Sequence, residues 1–141
     1  MPERNDTKGG PMNLVYEKIG HIAKVGLNRP RQLNALDPGI LLELHRTWTD
    51  INEDSQVRVA VLYSALPNIF CAGMDLKTAI PVLTGARPPA DEAEEWIIRG
   101  WDGKGVGEAM LKVSYVNKPV IAAIHGYCLT GGFEMVMGAD L

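Results

Sequence analysis

The sequence predicts an α/β fold, because segments typical of buried strands alternate with segments typical of helices. Two runs, VRVAVLYSA at 57–65 and KPVIAAIHG at 118–126, are nearly continuous in apolar residues, as strands covered on both faces are. Before them lies an amphipathic segment of about four helical turns, whose apolar residues recur with the 3.6-residue period: Ile40, Leu41, Leu44, Trp48 and Ile51. The predicted order is hairpin, helix, strand, helix, helix, strand, helix.

The first half of this order follows from local signals. Residues 14–28 contain two β-like runs around Gly20 and predict a hairpin. Asp37 and Pro38 form a typical helix start, with Asp as N-cap and Pro in the first helical position. After the strand at 57–65, we expect LPNIFCAG to be a loop and MDLKTAI to open the next helix.

The second half is interrupted by prolines and glycines. Residues 81–92 hold three prolines and a glycine, which predicts a mobile surface insertion. Residues 93–113 indicate helix at both ends with a glycine-rich break between them, and 131–140 indicate a short helix. At Asp140 and Leu141 the apolar pattern favours a further strand, so the predicted fold is incomplete at its C-terminus.

Composition limits the class of protein. A chain of 141 residues with 46% hydrophobic and 22% charged residues is typical of one globular domain, and a net charge of -3 gives no reason to expect a nucleic-acid partner. Cys71 and Cys128 lie far apart, which argues against a zinc site or a disulfide framework. Residues 1–12 are polar and predict a disordered tail before a domain at 13–141; without a signal peptide or a membrane-length apolar run, we expect a cytoplasmic protein.

The glycine-rich GKGVG stretch does not predict a phosphate loop. No strand signal precedes it, and Lys104 is not followed by the Ser or Thr that a P-loop needs. The three histidines, His21, His45 and His125, have no metal-binding spacing. The sequence therefore indicates no metal or nucleotide site.

Two glycine turns carry the functional signal. IFCAGMD at 69–75 and HGYCLTGGFE at 125–134 each follow a β-like run, reach glycine and open a helix. The first N–H groups of a helix have no internal partner, and glycine lets a ligand approach the backbone closely. If neighbouring strands bring the two turns together, two N–H groups could bind one oxyanion. The alternative, that both turns are only tight strand-to-helix connections, stays open on the pattern alone.

Three segments in order resemble the crotonase family, also called the enoyl-CoA hydratase/isomerase family. They are NRPRQLNAL at 28–36, FCAGMDL at 70–76 and KPVIAAIHGYCLTGGFEM at 118–135. The resemblance covers about residues 14–141 and corresponds to the N-terminal portion of a family member. It implies the family's fold, the ClpP/crotonase spiral of ββα units, and an acyl-CoA substrate.

The resemblance also implies roles for particular residues. The backbone N–H groups of Met74 and Gly131 match the two donors that bind the thioester carbonyl, and Glu134 matches the first catalytic glutamate of the hydratases. The second glutamate of a hydratase would lie beyond Leu141. Because Glu134 stands among Phe133, Met135 and Val136 in sequence, we expect partial desolvation and a raised pKa.

Weaker matches surround these positions. We expect Asp75 to cap a helix, whereas the charges of Arg31 and Lys77 could equally be ordinary solvated surface groups. The residues that the resemblance places near substrate or CoA are Arg31, Leu33, Ala72, Gly73, Asp75, Lys77 and Gly132.

The expected activity is that of an enoyl-CoA hydratase, a lyase, with a carnitinyl-CoA dehydratase-like enzyme or a double-bond isomerase as alternatives. CoA would enter with the substrate, so no separate cofactor is implied. Complete family members commonly form trimers or hexamers. The alternative of another class is a catalytically incomplete fragment that only binds CoA or associates.

Overall fold

The computed structural model of this chain describes residues 13–101 and 104–141. The predicted tail at 1–12 and Gly103 of the predicted glycine-rich break lie outside these ranges. The prediction of a break was wrong for Gly105 and Gly107, which lie in a short helix at Gly105–Ala109. None of the helices within the two ranges is long and apolar enough to cross a bilayer.

The chain forms a repeated unit of two strands followed by helix, and the α/β class is as predicted. The strands are β1 (Leu14–Ile19), β2 (Ile22–Leu27), β3 (Val59–Ser64), β4 (Ile69–Cys71), β5 (Val120–Ala123) and β6 (Tyr127–Cys128). The helices are α1 (Pro38–Glu53), α2 (Leu76–Leu83), α3 (Glu92–Gly100), α4 (Gly105–Ala109) and α5 (Gly131–Val136), with a short 3₁₀ turn at Pro30–Gln32. The units begin with β1–β2, β3–β4 and β5–β6.

Two sheets arise from this repeat. The larger sheet has the order β1-β2-β3-β5, in which β1 and β2 form the predicted antiparallel hairpin and the other pairs are parallel. In the smaller sheet, β4 and β6 run parallel, with Cys71 opposite Cys128. The prediction of a loop over 66–73 was wrong for β4, because a strand of three residues is too short to show a period.

Helix α1 starts as predicted and supplies much of the core. The Asp37 carboxylate accepts a hydrogen bond from the Ile40 N–H at 2.8 Å. Leu44 and Trp48 are fully buried, and the Trp48 indole N–H donates to the Ala109 carbonyl at 3.0 Å. This bond ties α1 to α4, so the large buried indole has no unsatisfied polar group.

The segment at 81–92, predicted as a mobile surface insertion, is helical at both of its ends. Helix α2 continues through Pro81 to Leu83, and α3 begins at Glu92. Between them, the Arg87 guanidinium donates to both carboxylate oxygens of Glu94, at 2.7 and 2.5 Å. The prolines shape a short connection whose middle is bonded to α3, so helices occupy both ends of the segment that composition predicted to be irregular throughout.

Candidate functional site

The first glycine turn joins β4 to α2. Gly73 has φ +97°, a left-handed conformation that favours glycine, and its carbonyl accepts a hydrogen bond from the Leu36 N–H at 2.7 Å. Because a trans peptide is planar, this bond points the Met74 N–H in the opposite direction. Within the described part of the chain, the Met74 N–H has no hydrogen-bond acceptor.

The second turn joins β6 to α5, and a hydrogen bond to a carbonyl orients its peptide in the same way. The Thr130 carbonyl accepts a hydrogen bond from the Glu134 N–H at 2.9 Å, so the Gly131 N–H on the other side of that peptide points away from the helix. Among residues 13–101 and 104–141, no acceptor is found for the Gly131 N–H either. Thr130 itself has φ +42° and ψ −116°, an unusual conformation for a β-branched residue.

The parallel pairing of β4 and β6 brings the two turns into contact. A Cβ placed on Gly131 would stand 3.4 Å from the Met74 nitrogen, and one placed on Gly73 would stand 3.3 Å from the Gly131 nitrogen. Two N–H groups that lack an acceptor among the described residues therefore lie side by side, as an oxyanion-binding pair requires. Gly132 contributes differently, because it is buried and any Cβ there would overlap Cys71; its lack of a side chain lets α5 pack against β4.

Glu134 lies on the outer face of α5, and the expectation of desolvation was wrong. Its side chain is 48% exposed, and a carboxylate oxygen lies 2.8 Å from the Lys112 ammonium. The buried face of α5 carries Gly131, Gly132 and Met135 instead. The Glu134 carboxylate lines an open cleft of about 420 Å³, together with Leu111, Lys112, Met137 and Gly138.

The predicted CoA-contacting residues fall into two groups. Arg31, Leu33 and Lys77 are exposed, the first two in and after the 3₁₀ turn and the third in the first turn of α2. The Ala72 N–H donates to the Leu33 carbonyl at 3.1 Å, so the loop at 29–37 lies directly against the first glycine turn. All three exposed side chains remain accessible to a ligand.

Asp75 is not free for a ligand in the same way. It caps α2 as predicted, accepting from the Lys77 N–H at 3.2 Å, and its carboxylate also lies 3.1 Å from the Arg29 guanidinium. The Asp75 side chain is only 11% exposed. Its contacts are those of a structural group beside Met74.

Sequence reasoning missed two residues that build the first turn. Arg29 bonds to the Ala35 carbonyl, Asp37 and Asp75. Asn34, with φ +57°, is fully buried and donates to the Ser64 hydroxyl at 2.8 Å and the Phe70 carbonyl at 2.9 Å. Their partners lie up to 46 positions away, so no local spacing could have revealed them.

Cys71 contacts the first glycine turn from its buried side. It is buried, and its thiol donates to the Asn34 carbonyl at 3.1 Å while its sulfur accepts from the Gly73 N–H at 3.4 Å. Burial raises the pKa of the Cys71 thiol to about 11, so it is a neutral group at physiological pH. Within the two described ranges, no cluster of His, Cys, Asp and Glu side chains could hold a metal ion.

Known proteins are similar to this chain in sequence. Residues 17–141 match the enoyl-CoA hydratase/isomerase family. The chain is 35% identical over 130 residues to (E)-benzylidenesuccinyl-CoA hydratase of Thauera aromatica, covering 92% of this chain and 46% of that protein. It is also 35% identical over 128 residues to carnitinyl-CoA dehydratase of Escherichia coli K12, covering 91% and 44% respectively.

Solved structures are similar to this chain in fold as well. Enoyl-CoA hydratase from Bacillus anthracis superposes with a TM-score of 0.69 at 35% identity, over 91% of this chain and 45% of that one. The fold is therefore the crotonase fold implied by the motifs, and the chain spans less than half the length of the curated relatives it matches. With the family match over residues 17–141 and the ββα units in place, the chain belongs to the enoyl-CoA hydratase/isomerase family, the crotonase family.

Proposed function

We propose that the protein carrying this chain is an acyl-CoA enzyme that stabilises a thioester enolate, and that it acts as an enoyl-CoA hydratase. The observation that carries the proposal is the side-by-side placement of the Met74 and Gly131 N–H groups, each without an acceptor in the described ranges. A thioester carbonyl oxygen seated between them would accept both hydrogen bonds. Each donor of such a pair typically contributes about 10²–10³ in rate.

The chemistry of hydration needs this arrangement. Water adds its oxygen to Cβ of the enoyl thioester, the electrons of the double bond move toward the carbonyl, and the oxygen gains negative charge as an enolate forms. A proton then goes to Cα, and the carbonyl is restored. The two amides favour the enolate over the neutral thioester, because hydrogen bonds to a charged oxygen are the stronger ones.

Glu134 is the candidate acid/base. It follows Gly131 by three residues, which is just under one helical turn, so its side chain starts near the proposed anion site. Its carboxylate opens into the cleft of about 420 Å³ beside Lys112, where a water molecule can reach it. As a base, it would take a proton from the attacking water; a second carboxylate for protonating Cα is expected beyond Leu141.

Dehydration is the reverse of the same reaction, and the 35% identity to carnitinyl-CoA dehydratase favours it as the second candidate. The dehydratase would use the same enolate and the same pair of amides with a 3-hydroxyacyl thioester. A double-bond isomerase would also use the amides but would move one proton between two carbons. The proposed enolate site is thus common to these activities, and the substrate distinguishes them.

The test is hydration of crotonyl-CoA by the full-length protein, followed as loss of enoyl-thioester absorbance. Glu134→Gln should lower kcat by about 10²-fold or more, since a general acid/base contributes about 10²–10⁴. The matched control is Glu92→Gln, which removes an exposed carboxylate from the first turn of α3. Calorimetry with butyryl-CoA, which lacks the double bond, measures binding separately.

Three outcomes separate the hypotheses. Hydration that is lost in Glu134→Gln and kept in Glu92→Gln supports the hydratase. Turnover of carnitinyl-CoA without hydration of crotonyl-CoA favours the dehydratase. Butyryl-CoA binding without turnover of either substrate would leave a CoA-binding protein and contradict the enzymatic proposal.

A further inference from the structure

Within the proposed anion site, the peptide between Gly73 and Met74 is the one that can most easily change its orientation. Glycine has no Cβ to restrict φ and ψ, so this peptide can rotate more easily than its neighbours. If it turned over, the Gly73 carbonyl would replace the Met74 N–H in the site, and a donor would become an acceptor. The orientation must therefore be imposed by groups outside the turn.

Leu36 imposes it directly. The Leu36 N–H donates to the Gly73 carbonyl at 2.7 Å, and the Leu36 carbonyl accepts from the Asp75 N–H at 2.9 Å. Leu36 and Met74 form an isolated parallel bridge outside the named strands. Two backbone hydrogen bonds thus bracket the Met74 N–H, but a single bridge has no neighbouring ladder to hold it in register.

Arg29 holds this bridge together from its ends. The guanidinium donates to the carbonyl of Ala35, on one side of Leu36, at 2.5 Å. It lies 2.8 Å from the Asp37 carboxylate on the other side, and 3.1 Å from the Asp75 carboxylate next to Met74. One side chain therefore clamps the residues flanking Leu36 to the residue following Met74.

The ion pairs of Arg29 with Asp37 and Asp75 are largely buried, unlike ion pairs at the protein surface. The side chains of Arg29 and Asp75 are each 11% exposed, and that of Asp37 is 19% exposed. Both carboxylates also cap helices, Asp37 for α1 and Asp75 for α2. A planar guanidinium can donate in several directions at once, which a lysine ammonium on a flexible stem cannot reproduce.

We propose that Arg29 is a positioning residue that fixes the orientation of the Gly73–Met74 peptide, by clamping Leu36 beside it, so that the Met74 N–H points into the anion site. This inference rests on the proposed function for its catalytic consequence. The orientation of the peptide itself can be tested without any turnover.

The sequence offers a selective probe of this one peptide. Gly73–Met74 is the only Gly-Met dipeptide among residues 1–141, so labelling glycine with ¹³C at the carbonyl and methionine with ¹⁵N gives one coupled amide from this part of the protein, and the loss of that signal in Met74→Leu assigns it. Its carbonyl shift reports the hydrogen bond from Leu36, and its residual dipolar coupling reports the direction of the Met74 N–H. Both are measured on the full-length protein without substrate.

Two variants test the clamp from opposite sides. Arg29→Lys keeps the charge and loses the planar set of donors, whereas Asp75→Asn keeps an N-cap acceptor and loses the charge. The matched control is Arg46→Lys, which makes the same change in an exposed ion pair with Glu92. Circular dichroism verifies that each variant is folded.

We expect the coupled Gly73–Met74 signal to shift, broaden or double in Arg29→Lys and in Asp75→Asn, and to stay unchanged in Arg46→Lys. In crotonyl-CoA hydration, Arg29→Lys should lower kcat by about tenfold to a hundredfold, while KM changes by less than about threefold, because the amide acts mainly on the transition state. If Arg29 only supported stability, Arg29→Lys would lower the melting temperature without this selective fall in kcat at nearly constant KM.

The outcomes for the two proposals are distinguishable. An unchanged signal in both folded variants would overturn the positioning role, whatever the activity. A displaced signal in a protein without activity toward any enoyl or hydroxyacyl thioester would support the positioning of the peptide and contradict the proposed function.

Discussion

Gly73 and Gly131 lie in contact across two turns that are far apart in sequence: a Cβ on Gly73 would stand 3.3 Å from the Gly131 nitrogen. Gly73→Ala should therefore disrupt the site as well as the local backbone. At φ +97° an alanine costs about 1–2 kcal/mol, and overlap with the Thr130 side chain adds to it, for a total of about 2–4 kcal/mol in the free energy of unfolding. Chemical denaturation measures the loss, and crotonyl-CoA hydration should fall by at least about 10²-fold.

Gly85→Ala is the matched control for this variant. Gly85 also has positive φ, +71°, but no atom lies within 4 Å of a Cβ built there. It should cost about 1 kcal/mol and leave hydration unchanged, since only the conformational penalty applies. If Gly73→Ala and Gly85→Ala lost equal amounts of stability and of hydration activity, the contact between the two turns would contribute to neither.

Thr130 offers the opposite experiment, a substitution that should stabilise the fold. Its φ of +42° with ψ of −116° is costly for a residue with a Cβ, by about 1–3 kcal/mol, and glycine removes that cost while losing about 0.5–1 kcal/mol of chain entropy. Thr130→Gly should therefore raise the free energy of unfolding by about 1 kcal/mol. Thr130→Ala keeps a Cβ at positive φ and should raise the free energy of unfolding by less than Thr130→Gly does. If alanine stabilised the fold as much as glycine, backbone strain would be excluded as the cause.

The elements that sequence predicted correctly are those whose signals are local. Asp37 and Pro38 marked the start of α1 because an N-cap and its target lie within three residues of each other. The hairpin around Gly20 and the start of α5 at Gly131 were likewise predicted from contiguous residues. Local chemistry was sufficient in each case.

The parts that sequence missed depend on distant partners. The three-residue strand β4 exists because β6 pairs with it, and Arg29 is structurally important because of Asp75, 46 positions away. The environment of Glu134 was misjudged for a related reason. Its neighbours in sequence are apolar, but in a helix successive side chains point about 100° apart, so Met135 turns inward while Glu134 turns outward.

The ion pair between Arg87 and Glu94 predicts a loss of stability in acid. Hydrogen bonding from Arg87 lowers the pKa of Glu94 to about 2, from an ordinary value near 4.5. A carboxylate whose pKa is lower in the folded state stabilises the fold above its unfolded pKa, and that contribution is lost as pH falls from about 4.5 toward 2. Glu94→Gln should thus be less stable than the parent near pH 7, and the difference should shrink below about pH 3.

Denaturation midpoints of the two proteins at both pH values measure this effect. Glu92→Gln, in the same helix turn, is the control: its ion pair with Arg46 is largely exposed, so its contribution should be small at every pH. A difference between parent and Glu94→Gln that persists undiminished in acid would contradict the assigned role of the charge.

The two cysteines should differ sharply in reactivity, although they lie opposite each other in β4 and β6. Burial raises the pKa of Cys71 to about 11, two units above its ordinary value of 9.0, so its thiolate fraction near pH 8 is about a hundredfold below that of a free thiol. Cys128 is only partly buried. Iodoacetamide labelling read by peptide mass should therefore modify Cys128 first and reach Cys71 only at denaturant concentrations that unfold the chain. Cys128→Ser leaves Cys71 as the one thiol among residues 1–141, and iodoacetamide should barely modify this part of the folded protein. Rapid labelling of Cys71 in that variant without denaturant would show that the buried side of the Gly73 turn opens in the native state.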